Sequence, residues 1–448
     1  MQLSLLRSSA ATTLTCVCGL LALSTTAVKA NGLDRNGVGA RSMSMAGASI
    51  ADTEDAFSSM ALNPSALGFL IGPDLSLSGT GVTGSGKYED QYGNRGRLSD
   101  DWKFLPDVVF RTPLSKDVGL GFSVIPDSSR SADWYFRDPA GGAGGATSYG
   151  FREYHSEILN IRAALGLGWR ITDSLSLGAS LGGVYPRNEL KGPYIFQSHP
   201  ALAGMKTLLD METDGYGING DLGLTWKASK TLTFGLAYRT PTKFDTSGEA
   251  TGDIGAQLRS LGITGVPTKF RYDSDIETKL PQKVGLGTSW QATERLRLSA
   301  QVDWINWSDA FDQLDVHLSK GSNPAINGLL GTDKIDDTIA LDWKDRFVYR
   351  AGAEYALTDK LCLRAGYVYG QSPVPDSTLL PMTAAISEHT VAIGLGYNGG
   401  SYHVDLAYQR DLGASQRAGI NGITGTEYDN SKVRIDANWL ALTVGFKF

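Results

Sequence analysis

The 448-residue sequence has few cysteines, no long apolar run beyond its first thirty residues, and no excess of positive charge. Two of its three cysteines, Cys16 and Cys18, lie in that first segment. Once the segment is removed, Cys362 remains alone and cannot form an intramolecular disulfide. No later segment offers the roughly 18 continuous apolar residues that a membrane-spanning helix needs. The net charge of -6 predicts no bulk attraction to nucleic acid.

The start of the chain has the pattern of a Sec signal peptide, residues 1–30. Arg7 supplies the positive n-region, "LTCVCGLLAL" (14–23) the apolar core, and "VKA" (28–30) a small-residue cleavage site. A lipobox around Cys16 or Cys18 fits less well, because apolar residues continue past both. The mature chain is therefore expected to be exported, and to be either soluble or a β-barrel.

Sequence signatures of catalysis are missing. The histidines show no His-x-x-x-His metal spacing, and there is no Gly-x-Ser-x-Gly nucleophile elbow. The Gly-rich stretch "GGAGGATSYG" (141–150) lies in a predicted loop without the strand-to-helix context of a phosphate site. We therefore expect no enzyme activity, no metal site and no cofactor.

Alternation of apolar and polar residues with a period of two predicts β-strands through the rest of the chain. In the C-terminal segment "IDANWLALTVGFKF" (435–448), small and polar residues form one face. The other face carries Leu440, Leu442, Val444, Phe446 and Phe448. Taken alone, this pattern fits either a wall between lipid and a lumen or one strand of a soluble sandwich.

The same alternation recurs in six hairpins with short turns, for example at 172–174 and 398–400. They cover residues 108–124, 164–181, 222–239, 284–304, 349–370 and 391–410. With a first strand at 73–82 and the C-terminal strand, they give fourteen strands, an even number as in closed outer-membrane barrels. Long connections separate the hairpins, among them about 126–157 and 186–218, again as in such barrels. Aromatic residues near strand ends predict interfacial girdles: Trp169, Tyr185, Trp226, Tyr238, Trp290, Trp304 and Trp307.

The sequence thus predicts an all-β fold, a 14-stranded antiparallel transmembrane β-barrel over residues 73–448. A barrel of this size encloses a lumen that is open or plugged. Residues 31–72 precede the first strand and are predicted to form a small N-terminal helical hatch inside that lumen. Their Ala-rich middle predicts a helix from about Ser42 to Leu62, which Asn63-Pro64 ends because a residue before proline disfavours helix.

Six segments, in this order, resemble those of one family. They are "GVGARSMSMAGASIADTEDAFSSMALNPSAL" (37–67), "YRTPTKFDTSGEA" (238–250), "LPQKVGLG" (280–287), "WINWSDAFDQL" (304–314), "WKDRFVYRAGAEY" (343–355) and "QSPVP" (371–375). Over essentially its whole mature length the chain resembles the FadL-type outer-membrane transporters, which take up long-chain fatty acids and other hydrophobic compounds. The resemblance implies passive transport: the loops capture a ligand, an apolar pocket holds it, the hatch rearranges, and the ligand leaves sideways at a kink in the third strand.

The resemblance also implies where the moving parts lie. The implied gate of the hatch consists of Asn63, Pro64, Ser65 and Ala66, where Ser65 interrupts the family's Asn-Pro-Ala pattern. The implied strand kink and lateral exit consist of Pro126, Asp127 and Ser128, since proline cannot donate a ladder hydrogen bond. The alternative is that the third strand simply ends at Pro126.

Two predicted loop segments, 199–212 and 252–263, have the periodicity of amphipathic helices. Their apolar faces are candidates for ligand capture: Leu202, Met205, Leu208, Leu209, Ile254, Leu258 and Leu261. Alternatively, these faces pack on each other and only stabilise the loops. For a fatty-acid carboxylate the resemblance implies basic side chains inside the barrel. Arg187 and Lys191 are the nearest candidates, with an ordinary solvated rim as the alternative.

The predicted function is passive uptake of hydrophobic molecules, long-chain fatty acids first, in the outer membrane of a Gram-negative bacterium. Uptake of aromatic or aliphatic hydrocarbons is one alternative, and a surface barrel of the adhesin or receptor type is another. The expected partners are the hydrophobic ligand, outer-membrane lipid, and the barrel assembly machinery acting on the C-terminal Phe448. The sequence leaves open which substrate is carried, and the oligomeric state.

Overall fold

The computed structural model describes residues 32–383 and 385–448. The predicted signal peptide, residues 1–30, lies outside the described residues. Within the part that is described, no helix is long and apolar enough to cross a membrane.

Strands dominate the described chain. They are β1 (Asp74–Glu89), β2 (Arg95–Leu98), β3 (Lys103–Pro113), β4 (Val118–Arg137), β5 (Phe151–Arg170), β6 (Leu175–Ile195), β7 (Lys206–Lys227), β8 (Leu232–Arg239), β9 (Thr242–Asp253), β10 (Lys269–Leu280), β11 (Lys283–Gln291), β12 (Leu296–Ile305), β13 (Gln313–Ser319), β14 (Ile335–Ala340), β15 (Arg346–Ala356), β16 (Leu361–Gly370), β17 (His389–Asn398), β18 (Tyr402–Arg417) and β19 (Lys432–Lys447).

Fourteen of these strands close into a ring: β1, β3 to β8, β11, β12 and β15 to β19. Each is antiparallel to its neighbours, and β19 closes the ring on β1 from Asp74↔Lys447 to Glu89↔Lys432. The molecule is therefore a closed 14-stranded antiparallel β-barrel, as the hairpin count predicted. All six predicted turns separate the strands that they were expected to join.

The strands reach further than their apolar alternation predicted. β4 and β5 contain 20 residues each and β7 contains 22, whereas a bilayer needs only about 9–11 per strand. Much of the predicted connections 126–157 and 186–218 is therefore strand, and the prediction of loops there was wrong. Their outward faces are polar because they stand beyond the apolar belt, so the alternation that marks a lipid-facing strand is missing.

The remaining five strands lie at the end with the long connections, which is the extracellular end in outer-membrane barrels. β2 pairs with β1 and β4. From β7, the strands β9, β10, β13 and β14 continue as a sheet beyond the ring. An apolar cluster that includes Phe196, Met211, Phe270 and Ile276 packs on this extension.

The two faces of the barrel wall differ as the alternation predicted. On β19, Leu440 and Leu442 are exposed outward, whereas Thr443 is buried inward. Trp169, at the end of β5, is also exposed. Trp307 is the exception among the predicted girdle residues. It lies in a short helix that leads from β12 into the interior, where it packs on Trp343, so its assignment to the girdle was wrong.

Short helices precede the first strand and lie in the connections between later strands. They are α1 (Gly39–Ser44), α2 (Ala56–Ala61), α3 (Gly255–Ser260), α4 (Trp307–Ala310) and α5 (Pro324–Leu330), with a 3-10 helix at Pro64–Phe69. The predicted continuous helix over 42–62 was wrong. Ala46 and Gly47 have φ of 54° and 75°, left-handed values that interrupt a right-handed helix. Its predicted end at Leu62 is confirmed, since Leu62 is the C-cap of α2.

Residues 32–72, called the hatch below, lie inside the barrel. The backbone N–H of Ala40 donates to Thr443 Oγ1 on β19 at 2.8 Å. Across the lumen, the N–H of Ile50 donates to Gln301 Oε1 on β12 at 3.0 Å. The fold is thus a barrel with a small helical hatch in its lumen.

Candidate functional site

The predicted hatch motif, residues 63–66, fastens the hatch to the barrel wall. The buried Asn63 side chain donates to Ile50 O at 2.9 Å and to Thr225 Oγ1 of β7 at 3.2 Å. Its Oδ1 accepts from the Ser65 N–H at 3.2 Å, which caps the 3-10 helix. Ser65 Oγ lies 2.7 Å from Thr225 Oγ1. The departure from the Asn-Pro-Ala pattern therefore adds a wall contact that alanine would not make.

Two inward-facing glycines let this motif touch the wall. A Cβ on Gly223 of β7 would lie 2.0 Å from Asn63 Oδ1, and one on Gly178 of β6 would lie 2.3 Å from the Pro64 backbone. A larger residue at either position would displace the hatch. The sequence reasoning missed both glycines, although the Gly-rich inward faces of these strands were a signal for close approach of another backbone.

Charged residues hold the other end of the hatch. Arg41 of α1 contacts Asp52 at 3.0 Å and Glu54 at 3.1 Å. Arg297 of β12 lies 3.1 Å from Glu54 and 3.8 Å from Asp52. Burial alone would raise the pKa of Asp52, but Arg41 and Arg297 outweigh it and hold that pKa well below its usual value.

Asp55 is a buried carboxylate whose pKa is shifted in the opposite direction to that of Asp52. Burial, reinforced by the charge of Asp52, raises the pKa of Asp55 to about 6. Its side chain caps α2 by accepting from the Ser58 N–H at 3.1 Å. This cap therefore carries a charge that the surrounding hatch disfavours.

The barrel wall has an opening between β3 and β4, called the lateral gap below. The β3–β4 ladder runs from Pro113↔Gly119 only as far as Val108↔Val124. Beyond it, β4 regains a partner on that side where β2 meets it at Leu98↔Trp134. The alternative that the strand ends at Pro126 was wrong, because β4 continues to Arg137.

A β-bulge lies in β4 at the predicted kink residues. Pro126 is opposite Ile161 of β5 and Ser128 is opposite Asn160, so Asp127 has no cross-strand partner. A bulge bends its strand and increases the local twist. The bend begins where the β3–β4 ladder ends, and the two features together shape the lateral gap.

The first described residues of the hatch fill this gap from inside. Asp34 forms an antiparallel bridge with Ser128 of β4. Arg35 donates to Asp107 of β3 at 2.6 Å and to Pro126 O at 3.0 Å. The hatch therefore supplies β4 with part of the hydrogen bonding that β3 does not provide.

Arg239 of β8 connects the bulge to the rest of the hatch. It contacts Asp127 at 2.9 Å and Asp221 of β7 at 2.6 Å. It also donates to Ala61 O, at the end of α2, at 2.9 Å. A displacement of α2 would therefore remove a hydrogen-bond acceptor from the arginine that holds the bulged carboxylate.

A cavity of about 300 Å³ extends from the start of the hatch to the lateral gap. Gly32 and Leu33 line it at the hatch, and residues 129–132 of β4 line it at the gap. The rest of its lining is mainly aliphatic and aromatic, and includes Ile158, Leu190, Phe311, Leu341, Trp343, Met382 and Trp439. The arrangement can hold an apolar molecule next to an opening in the barrel wall.

Arg130 is the cation on the inward face of β4 in this cavity. Its guanidinium lies 5.3 Å from the centroid of the Trp439 ring and donates to Asp34 O at 3.2 Å. Among the described residues, no carboxylate lies within 4.0 Å of it. The other lining cation, Lys103, contacts Glu157 at 3.6 Å.

The predicted carboxylate partners Arg187 and Lys191 lie elsewhere, and their placement inside the barrel was wrong. Both belong to the outward face of β6, in phase with the exposed Leu181. Arg187 contacts Glu212 at 2.8 Å, and Lys191 is 3.6 Å from Glu153. They lie on a solvated rim, which was the alternative prediction for these two residues.

The predicted capture helix over 199–212 was also wrong. From Lys206 onward this segment is β7, which pairs with β6 and with β9. Ladder hydrogen bonds to both neighbours override a helical periodicity that is only local. The second predicted helix exists in part, as α3 within 252–263.

The candidate capture residues mostly pack on each other. Leu202, Leu209, Ile254 and Leu258 are buried in one cluster, against which Met205 packs. Leu208 is half-buried, and Leu261 is exposed. These side chains therefore stabilise the extracellular strands and loops, the alternative that the sequence allowed.

The extracellular side of the cavity is covered by residues 374–382, which sequence reasoning missed. Trp134 Nε1 of β4 donates to Pro381 O at 3.1 Å. Ser156 Oγ of β5 donates to Met382 O at 2.8 Å. The segment includes the 3-10 helix Asp376–Thr378 and most of another, Pro381–Thr383, and both are too short to leave a periodic pattern in the sequence.

Comparisons with known proteins agree with this architecture. The model of the family described as outer membrane protein transport protein (OMPP1/FadL/TodX) matches residues 21–448. The long-chain fatty acid transport protein of Escherichia coli (strain K12) is 22% identical over 337 residues, 68% of either chain. Alkane uptake protein A of Marinobacter nauticus is 24% identical over 271 residues, 60% of this chain and 54% of that protein.

A solved structure has the same fold. The P. putida toluene transporter TodX superposes with a TM-score of 0.74 at 22% identity, over 93% of this chain and 99% of TodX.

Proposed function

The chain belongs to the outer membrane transport protein family of OMPP1, FadL and TodX, and from this premise we propose that it is a passive channel for hydrophobic molecules. The observation that carries the proposal is the apolar cavity between the hatch and the lateral gap. Burial of apolar surface releases about 25 cal/mol per Å². Such a cavity therefore draws a hydrophobic molecule out of water without coupling to another energy source.

In this proposal residues 31–72 act as the hatch of the barrel formed by residues 73–448. The ligand rests in the cavity while Asp34 and Arg35 fill the lateral gap. When these two residues leave β4, the ligand passes between β3 and β4 into the membrane. The contacts to be broken are a few hydrogen bonds and ion pairs in a polar lumen, which water can replace.

Long-chain fatty acids are the first substrate class of the proposal. A relative is a long-chain fatty acid transport protein. Arg130 could meet the carboxylate, since it faces the cavity and has no carboxylate of the described protein within 4.0 Å. The aliphatic lining would take the chain.

The charge of the cavity favours a second class, neutral hydrocarbons. The carboxylates that line it outnumber Lys103 and Arg130. They are Asp101, Asp133 and Asp411, together with Glu157 and Glu189, which belong to the outward strand faces and line the cavity where it opens at the lateral gap. A neutral aliphatic or aromatic ligand avoids their repulsion, and relatives of known structure or name include a toluene transporter and an alkane uptake protein.

Uptake measurements separate the two classes. A strain lacking the gene, complemented with the wild-type chain or with Arg130→Gln, would be given labelled oleate and labelled toluene. For a fatty-acid channel we expect Arg130→Gln to lower oleate uptake about tenfold or more, since a hydrogen bond to a charged group is lost, and to leave toluene uptake within about twofold.

Arg271→Gln, outside the cavity, is the control and should change neither uptake. A wild-type chain that restores neither oleate nor toluene uptake would contradict the channel itself.

Two partners complete the proposal. Outer-membrane lipid surrounds the exposed apolar belt, for example Leu440 and Leu442. The barrel assembly machinery recognises the C-terminal Phe448, whose side chain is exposed at the end of β19.

A further inference from the structure

A row of positive charges crosses the outward face of the barrel at its closing seam. Lys87 of β1 is directly opposite Arg97 of β2 on one side and Arg434 of β19 on the other. All three side chains are exposed. Like charges directly opposite each other on one face of a sheet repel, so this row is unfavourable unless an anion lies over it.

A second row, two residues further out, is also basic. Glu89 is opposite Arg95 and Lys432, and Lys432 is opposite Arg417 of β18. The two rows together, called the basic patch, contain one carboxylate among six cations: Lys87, Arg95, Arg97, Arg417, Lys432 and Arg434. The chain as a whole has a net charge of -6, whereas the basic patch carries a net positive charge.

Four cations of the basic patch lack a protein counter-ion. In the described part of the chain, no carboxylate lies within 4.0 Å of Lys87, Arg97, Arg417 or Lys432. By contrast, Arg95 is 3.5 Å from Glu89 and Arg434 is 3.3 Å from Asp436.

The height of the patch identifies its surroundings. The outward face of β19 is apolar up to Leu440 and basic from Arg434. The six residue steps from Leu440 to Arg434 span about 20 Å of strand, or about 15 Å of height at the usual tilt. The patch therefore stands just beyond the acyl chains of the outer leaflet and faces sideways, toward neighbouring lipid rather than the lumen.

Another part of the outward wall has the reverse charge. Across β5, β6, β7, β9 and β10 a single register line joins five acidic residues: Glu157, Glu189, Glu212, Glu249 and Asp273. Cations such as Arg271 and Lys320 are paired there, at 2.7 Å from Glu249 and Asp273 respectively. This wall therefore attracts an anion less strongly than the seam does.

We propose that the basic patch binds the phosphate groups of a phosphorylated glycolipid of the outer leaflet, lipopolysaccharide. Cross-strand neighbours about 5 Å apart can contact one phosphate together, and Lys and Arg are the side chains that bind phosphate. None of the six cations of the basic patch lines the cavity. The site is therefore separate from the cavity and independent of the transported ligand.

Binding of purified full-length protein to lipopolysaccharide tests the proposal. The double variant Lys87→Gln/Arg434→Gln removes two charges from the patch, and Arg271→Gln/Lys320→Gln removes two from the acidic wall. We expect at least a tenfold loss of affinity in the first, with a weaker dependence on salt, and less than a twofold change in the second. The charge-retaining Lys87→Arg/Arg434→Lys should bind as wild type, which separates lost charge from lost fold.

Three results would overturn the proposal. The first is wild-type affinity in Lys87→Gln/Arg434→Gln. The second is equal binding of lipopolysaccharide whose phosphates have been removed. The third is displacement of the lipid by millimolar inorganic phosphate, which would make the patch a site for the free anion.

Discussion

The lumen holds the hatch through polar and apolar contacts, since Phe57, Met60 and Leu67 pack in one buried cluster with wall residues. Asn63, Arg35 and Arg239 bind it to the wall by hydrogen bonds and ion pairs, and inward positions of β1 such as Ser76 and Thr80 are fully buried beside it. Water can replace polar contacts at a net cost of only about 1 kcal/mol each. The polar contacts alone therefore resist displacement of the hatch weakly, and the apolar cluster adds the cost of exposing Phe57, Met60 and Leu67.

Asp55→Asn should stabilise the hatch at neutral pH. The Asp55 pKa is about 6 in the folded chain against an ordinary 3.8, so above pH 6 the folded state carries a buried charge that costs roughly 3 kcal/mol. As pH falls through 6 toward 4 the aspartate becomes protonated and the advantage of asparagine should vanish. Asparagine caps helices as well as aspartate does.

Hydrogen exchange of residues 32–72, at pH 7.5 and at pH 4.5, measures this effect. Slower exchange in the variant at both pH values would show that removal of the charge is not its cause. Asp101→Asn, outside the hatch, serves as control.

At the scale of single residues, local chemistry was predictable and distant partners were not. The sequence predicted that Asn63-Pro64 would end a helix, because a residue before proline disfavours helix. It gave no sign that Asn63 would contact Thr225, which lies 162 positions along the chain. Arg187 lies on the outward face because it is in phase with Leu181, whereas the resemblance predicted a place inside the barrel.

Among the elements, β4 and the hatch depend on each other. The strand has a bulge at Asp127 and lacks β3 as a neighbour beyond Val124. An unpaired strand edge exposes backbone N–H and C=O groups that can pair with another segment. Here Asp34 forms such a pair with Ser128. At the lateral gap the hatch therefore provides part of the pairing that a neighbouring wall strand would provide.

A disulfide between Asp34→Cys and Ser128→Cys should close the lateral gap permanently. The two residues form an antiparallel bridge, so their Cα atoms are close enough for a disulfide. In a Cys362→Ser background we expect uptake of hydrophobic ligand to fall at least tenfold under oxidising conditions and to recover with a reductant. Each single cysteine variant is a control.

Full uptake by the oxidised double variant, with the cross-link verified by mass spectrometry, would mean that the ligand does not leave through this gap.

Predictions of elements succeeded where the wall meets lipid and failed beyond it. The turns at 172–174 and 398–400 separate strands as expected, because apolar alternation on each side marks the membrane face. Segment 199–212 was misassigned because its strand, β7, is stabilised by β6 and β9. Such non-local pairing leaves no periodic trace in the segment itself.

At the scale of the whole molecule, the barrel wall and the hatch are separate structural parts. No residue of the hatch takes part in the ladders between the fourteen ring strands. Deletion of residues 32–70 should therefore leave a folded barrel, detectable by its heat-dependent migration in gels, but with an open lumen.

We expect the deletion to admit small hydrophilic solutes in a liposome swelling assay and to abolish concentrative binding of hydrophobic ligand. Asn63→Ala/Ser65→Ala, which only loosens the hatch, should leak less. A deleted barrel that stays sealed would show that residues 374–382 alone close the lumen.

The closing seam has a consequence for how the molecule is made. β1 and β19, the first and last strands, complete the ring by pairing with each other. The cylinder cannot be finished until the last residues of the chain have arrived. The hatch comes before β1, so it is synthesised before any wall exists around it. We expect it to be in place while the sheet is still open at the β1–β19 edge, where α1 and α2 can be enclosed without passing through a mouth of the finished ring. Assembly therefore resembles wrapping a sheet around a core more than threading a core into a tube.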